Sequence, residues 1–387
     1  MKILLLYNNY QSGGGGETTM VRMTESILKQ HGHEVHSVWK DNRNIVSLGD
    51  KLGAFFNGVY SAESRAEVTK LIGEIKPDVV HIFNLYPLLS PSVIEACKSH
   101  GVPVVMSVQN HQLTCPTAAH FSKGEVCERC MGGREYHCVL RNCKGSHTKS
   151  VGFALRSAVA RRAGWYRKDI DRFLVISEAV RSRLLKDGYE DSKIRLLLNA
   201  VPVPDVAGDP ASGEYVGFVG RLVVEKGISV LLEAARISGV PVVIAGGGEE
   251  LSRLQGSAPK NVRFAGLLDR AHVDEFYTRA RFTVVPSIWP EPFGLVATEA
   301  MSYGLPVIAA RSGGLQEIIE HGETGFLYAP QDASELASHM KRLWDSPSTC
   351  AEMGRKARAS VIEKYNLQAH YDALLSIYEE ISVSVPA

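Results

Sequence analysis

The sequence predicts an α/β protein built from two doubly wound, Rossmann-like domains that face a cleft. Its 387 residues exceed the roughly 250 at which single cores usually stop growing. Short apolar runs alternate with helical patterns from the first residue, and such buried strands are typical of parallel βαβ units. A stretch rich in Pro, Gly, Ala and Asp at 199–214 interrupts this alternation. That composition suits a linker between two domains.

In the first half, a strand is predicted at "KILLLY", a glycine turn at "SGGGGE" and a helix at "TTMVRMTESILKQHG", which ends at Gly32. Further strands are predicted at "HEVHSVW", "IKPDVVHIF" and "GVPVVMSV". The first domain therefore covers 1–204. An amphipathic helix within 367–387 is expected to cross back and pack on it.

The second domain, 205–366, repeats the alternation. Strands are predicted at "YVGFVG", "VPVVIAGGG" and "FTVVPS", with a helix at "ISVLLEAARISG". Another helix is expected from Gly294 to Ser302, closed by Gly304 and Pro306.

Composition limits the class of protein. Lys and Arg number 43 against 42 Asp and Glu, which argues against a general nucleic-acid binder. The opening apolar run is too short for a secretory signal, and no run of about 18 apolar residues follows. We therefore expect a cytoplasmic protein.

Polar and glycine-rich turns follow the strands of the second domain, where doubly wound sheets bind ligands. Arg221 and Lys226 flank "LVVE" after its first strand, and such paired cations suit a pyrophosphate. The alternative is a solvated pair of cations with Glu225 as ionic partner.

The stretch "PSIWPEPFGLVATEAMSYGLPVIA" places two carboxylates around a predicted helix start. Backbone amides near Phe293, Gly294 and Leu295 would cradle an anion there. Glu299 suits a sugar diol such as ribose, and Glu291 suits the hydroxyls of a second sugar. Alternatively, the two glutamates are an N-cap neighbour and an exposed helix residue.

Five ordered motifs carry a resemblance: "GRLVVEKG", "GGGEEL", the stretch above, "SGGLQEII" and "GETGFLY". They resemble the donor half of retaining nucleotide-sugar glycosyltransferases of the GT-B fold, the group 1 or family 4 class. In the first half, "SGGGGETTMVRM", "QNHQLTCP", "CERCMGG" and "CVLRNCKGS" are similar to a cysteine-bearing branch of that class.

The resemblance implies a donor site without a catalytic metal. Arg221 and Lys226 would hold the pyrophosphate of a UDP- or GDP-sugar and neutralise charge on the departing nucleotide. Glu291 would contact the transferred sugar and Glu299 the ribose. Main-chain contacts to the donor would come from Phe293, Gly294, Leu295, Gly14, Gly15 and Gly16.

The resemblance also implies an acceptor and a course of reaction. Transfer would proceed with retention, by front-face attack without a protein nucleophile, to a glycan or lipid-linked glycan in cell-surface polysaccharide assembly. Relatives of this branch commonly carry His where this chain has Gln109. His111 is the substitute candidate, but the two side chains share one side only if the segment is extended.

Four cysteines in one short stretch, Cys127, Cys130, Cys138 and Cys143, have spacings compatible with a structural tetrahedral zinc site. Reduced thiols in a loop are the alternative.

A basic segment follows, with Arg156, Arg161, Arg162, Arg167 and Lys168 among apolar and aromatic residues. Two interpretations stay open: a helix lying on an anionic membrane at the inner face, or a core-packed helix with a solvated basic side.

Other classes explain fewer residues. An NAD-dependent dehydrogenase would need the final small residue of G-x-G-x-x-G, which "SGGGGETT" lacks. A phosphorylase would carry a pyridoxal lysine signature that is not found. A non-catalytic scaffold with a degenerate donor site is the remaining alternative.

Overall fold

The computed structural model describes residues 1–9, 15–44, 53 and 55–382, which form two compact units. The first unit comprises Met1–His120, Glu128–Leu198 and the chain from Gln368 onward. The second unit comprises Phe121–Cys127 and Asn199–Leu367. Each unit is built around its own parallel sheet, so the prediction of two parallel-sheet α/β domains is confirmed.

The first unit contains a six-stranded parallel sheet in the order β2-β1-β3-β4-β7-β8. Its strands are β1 (Lys2–Asn9), β2 (Glu34–Asp41), β3 (Val79–Ile82), β4 (Val104–Val108), β7 (Arg172–Val175) and β8 (Ile194–Leu196). Its helices are α1 (Gly16–Gln30), α2 (Ala62–Ile75), α3 (Ser92–Ser99), α4 (Tyr136–Leu140), α5 (His147–Ala163), α6 (Trp165–Asp169) and α7 (Glu178–Lys186). Every residue of β3 and β4 is buried, which explains why their sequences are apolar except for His81 and Ser107.

The second unit contains a six-stranded parallel sheet in the order β11-β10-β9-β12-β13-β14. Its strands are β9 (Tyr215–Val219), β10 (Val242–Ala245), β11 (Val262–Gly266), β12 (Ala280–Val285), β13 (Val307–Ala310) and β14 (Gly325–Tyr328). A short antiparallel pair, β5 (Phe121–Ser122) and β6 (Glu125–Val126), precedes them in the chain.

Helices α8 (Ile228–Ser238), α9 (Leu251–Ser257), α10 (Arg270–Arg279), α11 (Leu295–Ser302), α12 (Leu315–Ile318), α13 (Ala333–Asp345) and α14 (Pro347–Lys364) complete the second unit. Its core forms where α8 and α13 bury apolar faces against the sheet. The helix predicted to start at Gly294 begins at Leu295, with Gly294 as its N-cap.

The C-terminal helix α15 (Leu367–Ser382) packs on the first unit from Gln368 onward. Its Tyr378 hydroxyl lies 2.6 Å from Nδ1 of His81, whose Nε2 lies 2.8 Å from the Ser107 hydroxyl. Burial lowers the pKa of His81 to about 3, so this imidazole is neutral and links the helix to β3 and β4 through hydrogen bonds.

Among the described residues, the helices include none long and apolar enough to cross a membrane.

Candidate functional site

The strand order of the second sheet defines where a ligand is expected to bind. Strands β9 and β12 are neighbours, and the chain proceeds outward from them in opposite directions. This is the topological switch point of a doubly wound sheet, and ligands bind beyond the carboxyl ends of its strands. The loops that follow Val219 and Val285 therefore form the candidate site.

These two loops contact each other through their backbones. The first ends in a short 3-10 turn, Val224–Lys226, followed by Gly227 with a φ of 68°. A Cβ atom on Gly227 would lie 1.9 Å from the carbonyl oxygen of Pro286. The amide of Ile288 donates to the carbonyl of Glu225 at 3.0 Å. Only glycine permits both the left-handed backbone and this approach.

The approach brings Lys226 against Glu291. The Lys226 ammonium lies 3.0 Å from Oε1 and 2.8 Å from Oε2 of the carboxylate. Oε2 also accepts hydrogen bonds from the Ser287 hydroxyl at 2.8 Å and the Trp289 indole at 2.9 Å. The ammonium lies 5.4 Å from the centre of the Trp289 ring. One carboxylate oxygen thus has three partners.

This environment keeps Glu291 ionised. Its residue is only 8% exposed, and burial alone would raise the pKa of its carboxyl. The charge of Lys226 and the hydrogen bonds from Lys226, Ser287 and Trp289 outweigh burial and lower that pKa. The alternative in which Glu291 is a solvated N-cap neighbour is therefore wrong.

Arg221 is more accessible than Lys226. Its side chain is 48% exposed and lies 3.8 Å from Glu225, the ionic partner foreseen in the sequence. The Lys226 side chain is only 16% exposed. The loop thus carries one partly buried cation, which is paired with Glu291, and one cation open to solvent.

Two glycines after β13 hold the other side of the Glu291 loop. A Cβ atom on Gly313, whose φ is 56°, would lie 2.0 Å from the carbonyl oxygen of Glu291. The amide of Gly314 donates to that same oxygen at 2.8 Å. The hydroxyl of Ser312 donates to the carbonyl of Trp289 at 2.5 Å. The "SGG" motif therefore fixes the backbone of the glutamate loop.

Helix α11 begins directly after this loop. Gly294 caps it with a φ of 123°, and its carbonyl accepts from the amides of Ala297 and Thr298. Phe293 and Gly294 are buried and Leu295 is half-buried, so the helix start is fixed by packing. An eight-residue helix with this start supplies amides and a partial positive charge for an anion.

Glu299 lies in the second turn of α11 and is half-buried. Its Oε2 accepts a hydrogen bond from the hydroxyl of Tyr277 at 2.9 Å. Burial, together with the charge of Glu299, raises the pKa of Tyr277 well above its usual value, so the phenol remains a donor. The alternative of a simply exposed Glu299 is wrong.

Sequence reasoning missed Tyr277 and Ser287 as partners of the two glutamates. Ser287 lies four residues before Glu291, a spacing that is a weak local signal. Tyr277 lies on α10, 22 residues from Glu299, and no local pattern indicates their contact.

In the first unit, Gly15 and Gly16 lie at the start of α1, whereas Gly14 lies outside the described residues. The carboxylate of Glu17 in the first turn accepts from the amide of Asn110 at 3.3 Å. Residues 109–111 follow β4 as an irregular turn rather than an extended strand. The geometry needed for His111 to share a side with Gln109 is therefore not met.

His111 itself is 2% exposed, and its ring lies 5.0 Å from that of His120. Its backbone accepts hydrogen bonds from the amides of Thr114 and Cys115. The structure thus places His111 inside the first unit, where it supports a tight turn.

The predicted zinc site is not supported. Among residues 1–9, 15–44, 53 and 55–382, no group of three or more His, Cys, Asp or Glu side chains is arranged to hold a metal ion. Cys130 and Cys138 are buried with Ala154 in an apolar cluster, against which Cys143 packs. Burial is the main cause that raises the pKa of the Cys138 thiol. Cys127 belongs to the second unit.

Three of the five cations in the predicted membrane helix have internal partners. The Arg156 guanidinium lies 4.2 Å from the centre of the Tyr86 ring, and burial lowers its pKa. Arg161 and Arg167 both pair with the buried carboxylate of Asp187, at 2.8 and 3.2 Å. Only Arg162 and Lys168 of the five are exposed, so that helix does not present the full basic face that its sequence suggested.

Two protein-family models match the sequence in tandem. Residues 13–203 match the family described as Glycosyltransferase Family 4, and residues 205–360 match the family described as Glycosyl transferases group 1.

Curated relatives have related names. A glycogen synthase of Mycobacterium tuberculosis is 31% identical over 249 residues, which are 60% of this chain and 60% of the relative. The chain thus spans about three fifths of that relative's length. A Klebsiella pneumoniae protein described as an uncharacterized 42.6 kDa protein in the cps region is 26% identical over 82% of this chain and 87% of its own.

Solved structures share the fold. The sucrose-phosphate synthase of Thermosynechococcus elongatus superposes with a TM-score of 0.74, covering 99% of both chains at 19% identity. Anabaena HepE in complex with UDP superposes with a TM-score of 0.69, covering 98% of this chain and 100% of HepE, also at 19% identity.

Proposed function

Because the chain belongs to the group 1 glycosyltransferases, we propose that it transfers a sugar from a nucleotide-sugar donor to a glycan or lipid-linked glycan, with retention. The donor is assigned to the second unit and the acceptor to the first. Within this proposal, 205–366 is the donor domain, and 1–204 with 367–387 is the acceptor domain.

The observation that carries the proposal is the buried Lys226–Glu291 pair at the switch point. An ammonium has three N–H donors, and the two contacts of Lys226 with the Glu291 oxygens use two of them. At least one donor stays available for a phosphate oxygen. Lys226 would thus contact two groups at once: the Glu291 carboxylate, which is assigned to the transferred sugar, and the diphosphate, which leaves with the nucleotide.

Arg221 completes the charge balance at the diphosphate. Its side chain is about half exposed and lies 3.8 Å from Glu225, a loose contact that would leave the guanidinium able to form a bidentate contact with phosphate. Lys226, Arg221 and the amides at the start of α11 would together stabilise the negative charge that develops on the departing nucleoside diphosphate.

The ionised state of Glu291 indicates what it does in the transfer. Its Oε2 already accepts three hydrogen bonds, and its pKa is lowered, so the carboxylate is a weak nucleophile and not a proton donor at neutral pH. It is suited to accept hydrogen bonds from sugar hydroxyls. This supports front-face transfer, in which a phosphate oxygen of the donor helps to take the acceptor proton.

Glu299 is assigned to the nucleoside. Tyr277 donates a hydrogen bond to its Oε2, which helps to position the carboxylate to accept from a ribose hydroxyl. Anabaena HepE has been solved with UDP-glucose, which makes uridine the first base to test here. The proposal includes a role in cell-surface polysaccharide assembly.

Thermal-shift binding tests the donor site directly. UDP, GDP, ADP, their common sugar conjugates and NAD are compared in buffers with and without EDTA, using the wild type, Arg221→Ala and the control Arg236→Ala. Arg236 matches Arg221 because its side chain is 52% exposed and pairs with Glu233 on a neighbouring helical turn.

We expect one nucleoside diphosphate to stabilise the wild type and Arg236→Ala but not Arg221→Ala, with or without EDTA. Stabilisation by NAD alone favours a dehydrogenase, and stabilisation by no nucleotide favours a scaffold. Once a donor is known, NMR of the anomeric proton in the product tests retention.

A further inference from the structure

We infer that the surface of the first unit formed by 129–168 docks on an anionic lipid bilayer. The inference rests on the proposed function in one respect: docking on a bilayer would bring a glycosyltransferase to a lipid-linked acceptor rather than to a soluble glycan. Charge, exposed apolar side chains and their placement on two packed helices support it independently of the donor site.

The charge of this surface is one-sided. Residues 129–168 contain ten Lys and Arg residues and one acidic residue, Glu135. Asp169 follows directly after this segment. Glu135 is 6% exposed and pairs with Arg161 at 2.5 Å, so it does not offset the surface charge. The whole chain is nearly balanced, with 43 cations and 42 anions, which makes the local excess distinctive.

The internally paired arginines do not supply this surface charge. Arg156, Arg161 and Arg167 have partners inside the unit, as described above. The exposed cations of the segment are Arg129, Arg134, Lys144, Lys149, Arg162 and Lys168. Clustered cations are attracted to the negative surface potential of a leaflet that contains anionic lipids.

Large apolar side chains are exposed among these cations. On α4, Tyr136 is 56% exposed and Leu140 is 70% exposed; on α5, Val151 is 43% and Leu155 is 44% exposed. Each pair is four residues apart, which places its members on one face of their helix. The two helices pack together through Cys138 and Ala154.

Apolar side chains distinguish a bilayer from other anionic partners. Nucleic acid is bound mainly through cations and aromatic stacking, neither of which uses exposed Leu and Val side chains. The headgroup region of a bilayer, in contrast, buries Leu, Val and Tyr side chains beside the cations. The combination of exposed Leu and Lys on neighbouring helices therefore favours a lipid surface. The helices α4 and α5 would lie in the plane of that surface.

Vesicle sedimentation of the full chain, without donor, tests the inference. Vesicles of phosphatidylcholine alone are compared with vesicles that also contain phosphatidylglycerol. One variant pair is Leu140→Ser with Leu155→Ser, and another is Lys144→Gln with Lys149→Gln. The matched controls alter exposed residues elsewhere, Ile237→Ser (53% exposed) for the leucines and Lys341→Gln (63% exposed) for the lysines.

We expect binding to the anionic vesicles only. Each neutralised lysine should weaken it by about fivefold, since a basic residue near such a surface contributes about 1 kcal/mol. The leucine pair should weaken it by about tenfold or more, and neither control should change it.

Failure to bind anionic vesicles overturns the inference. Binding that the leucine pair leaves unchanged also overturns it, and points to a polyanion site. The vesicle assay contains no nucleotide, so its outcome does not depend on the proposed donor site. A failure of the donor proposal would be detected separately, in the thermal-shift experiment.

Discussion

Replacement of Lys226 by Met would leave the Glu291 carboxylate buried without its cation. The Lys226 ammonium contacts both carboxylate oxygens within 3.0 Å, and the glutamate is 8% exposed. Removing one partner of a buried ion pair usually costs about 3 to 5 kcal/mol, because an uncompensated charge remains. Hydrogen bonds from Ser287 and Trp289 persist, so we expect the lower end, about 3 kcal/mol at about pH 7.5.

The cost should depend on pH in a defined direction. In the wild type the pKa of Glu291 is lowered, so its contribution to stability is present above the unfolded pKa and lost as the pH falls through the folded pKa. In Lys226→Met, burial prevails and raises that pKa above its unfolded value. The variant therefore loses stability as the pH rises through the raised pKa, and the difference from wild type grows between about pH 4.5 and neutrality.

Urea titrations of the wild type, Lys226→Met, Glu291→Gln and the double variant, followed by circular dichroism at about pH 5 and about pH 7.5, measure this difference. Lys226→Arg is the conservative control, since it keeps the charge. We expect the double variant to be less destabilised than Lys226→Met at the higher pH, because the buried charge has gone. If Lys226→Met and the double variant were equally destabilised at both pH values, the argument would be refuted.

Two further predictions use contacts of the same unit. Tyr277→Phe removes a hydrogen-bond donor to Glu299, so the preference for UDP over 2′-deoxy-UDP, measured by calorimetry, should fall by about fivefold, the equivalent of about 1 kcal/mol. An unchanged preference would mean that the phenol does not position the carboxylate. Gly227→Ala should lower the unfolding free energy by several times the ~1 kcal/mol expected for Gly239→Ala. Both glycines have φ near 68°, but a Cβ atom meets the carbonyl oxygen of Pro286 at 1.9 Å only in the first case, and equal costs would contradict the steric argument.

The fold was predictable because its signals are local. Central parallel strands are buried on both faces, so they appear as unbroken apolar runs such as "KILLLY", and glycines mark the turns between them. The start of α11 was placed within one residue because Gly294 precedes a helical pattern and Gly304 follows it. Apolar strands and glycine-marked turns each depend on a few neighbouring residues. They can therefore be predicted without knowing which distant residues pack against them.

The partners within the candidate site were not predictable for the opposite reason. Lys226 and Glu291 were singled out separately, but they are 65 residues apart and meet only because two loops touch at Gly227 and Pro286. The contact of Tyr277 with Glu299 likewise depends on how α10 packs beside α11. Residue type indicates the chemistry of each side chain, but spacing along the chain does not give the distance between two side chains in the fold.

The arginines of α5 and α6 show the limit of charge patterning. The sequence places five cations along one basic segment, yet Asp187, which lies 20 residues beyond Arg167, takes up two of them from the interior. A helical-wheel analysis of the basic segment cannot include a buried carboxylate that lies elsewhere in the sequence. The exposed charge of this region comes instead from Lys144, Lys149 and other residues around α4 and α5.

The glutamate loop is held from both sides by backbone contacts, and this arrangement bears on how the site works. Gly227 touches the carbonyl of Pro286 at the start of the loop, and Gly313 touches the carbonyl of Glu291 at its end. Neither contact uses the side chains that would bind a donor. Main-chain packing therefore sets the backbone position of Glu291 before any ligand arrives. Such preorganisation is the condition under which charged groups stabilise a developing charge without first reorganising. A substitution at either glycine should consequently impair donor binding even though glycine itself offers no side chain to the ligand.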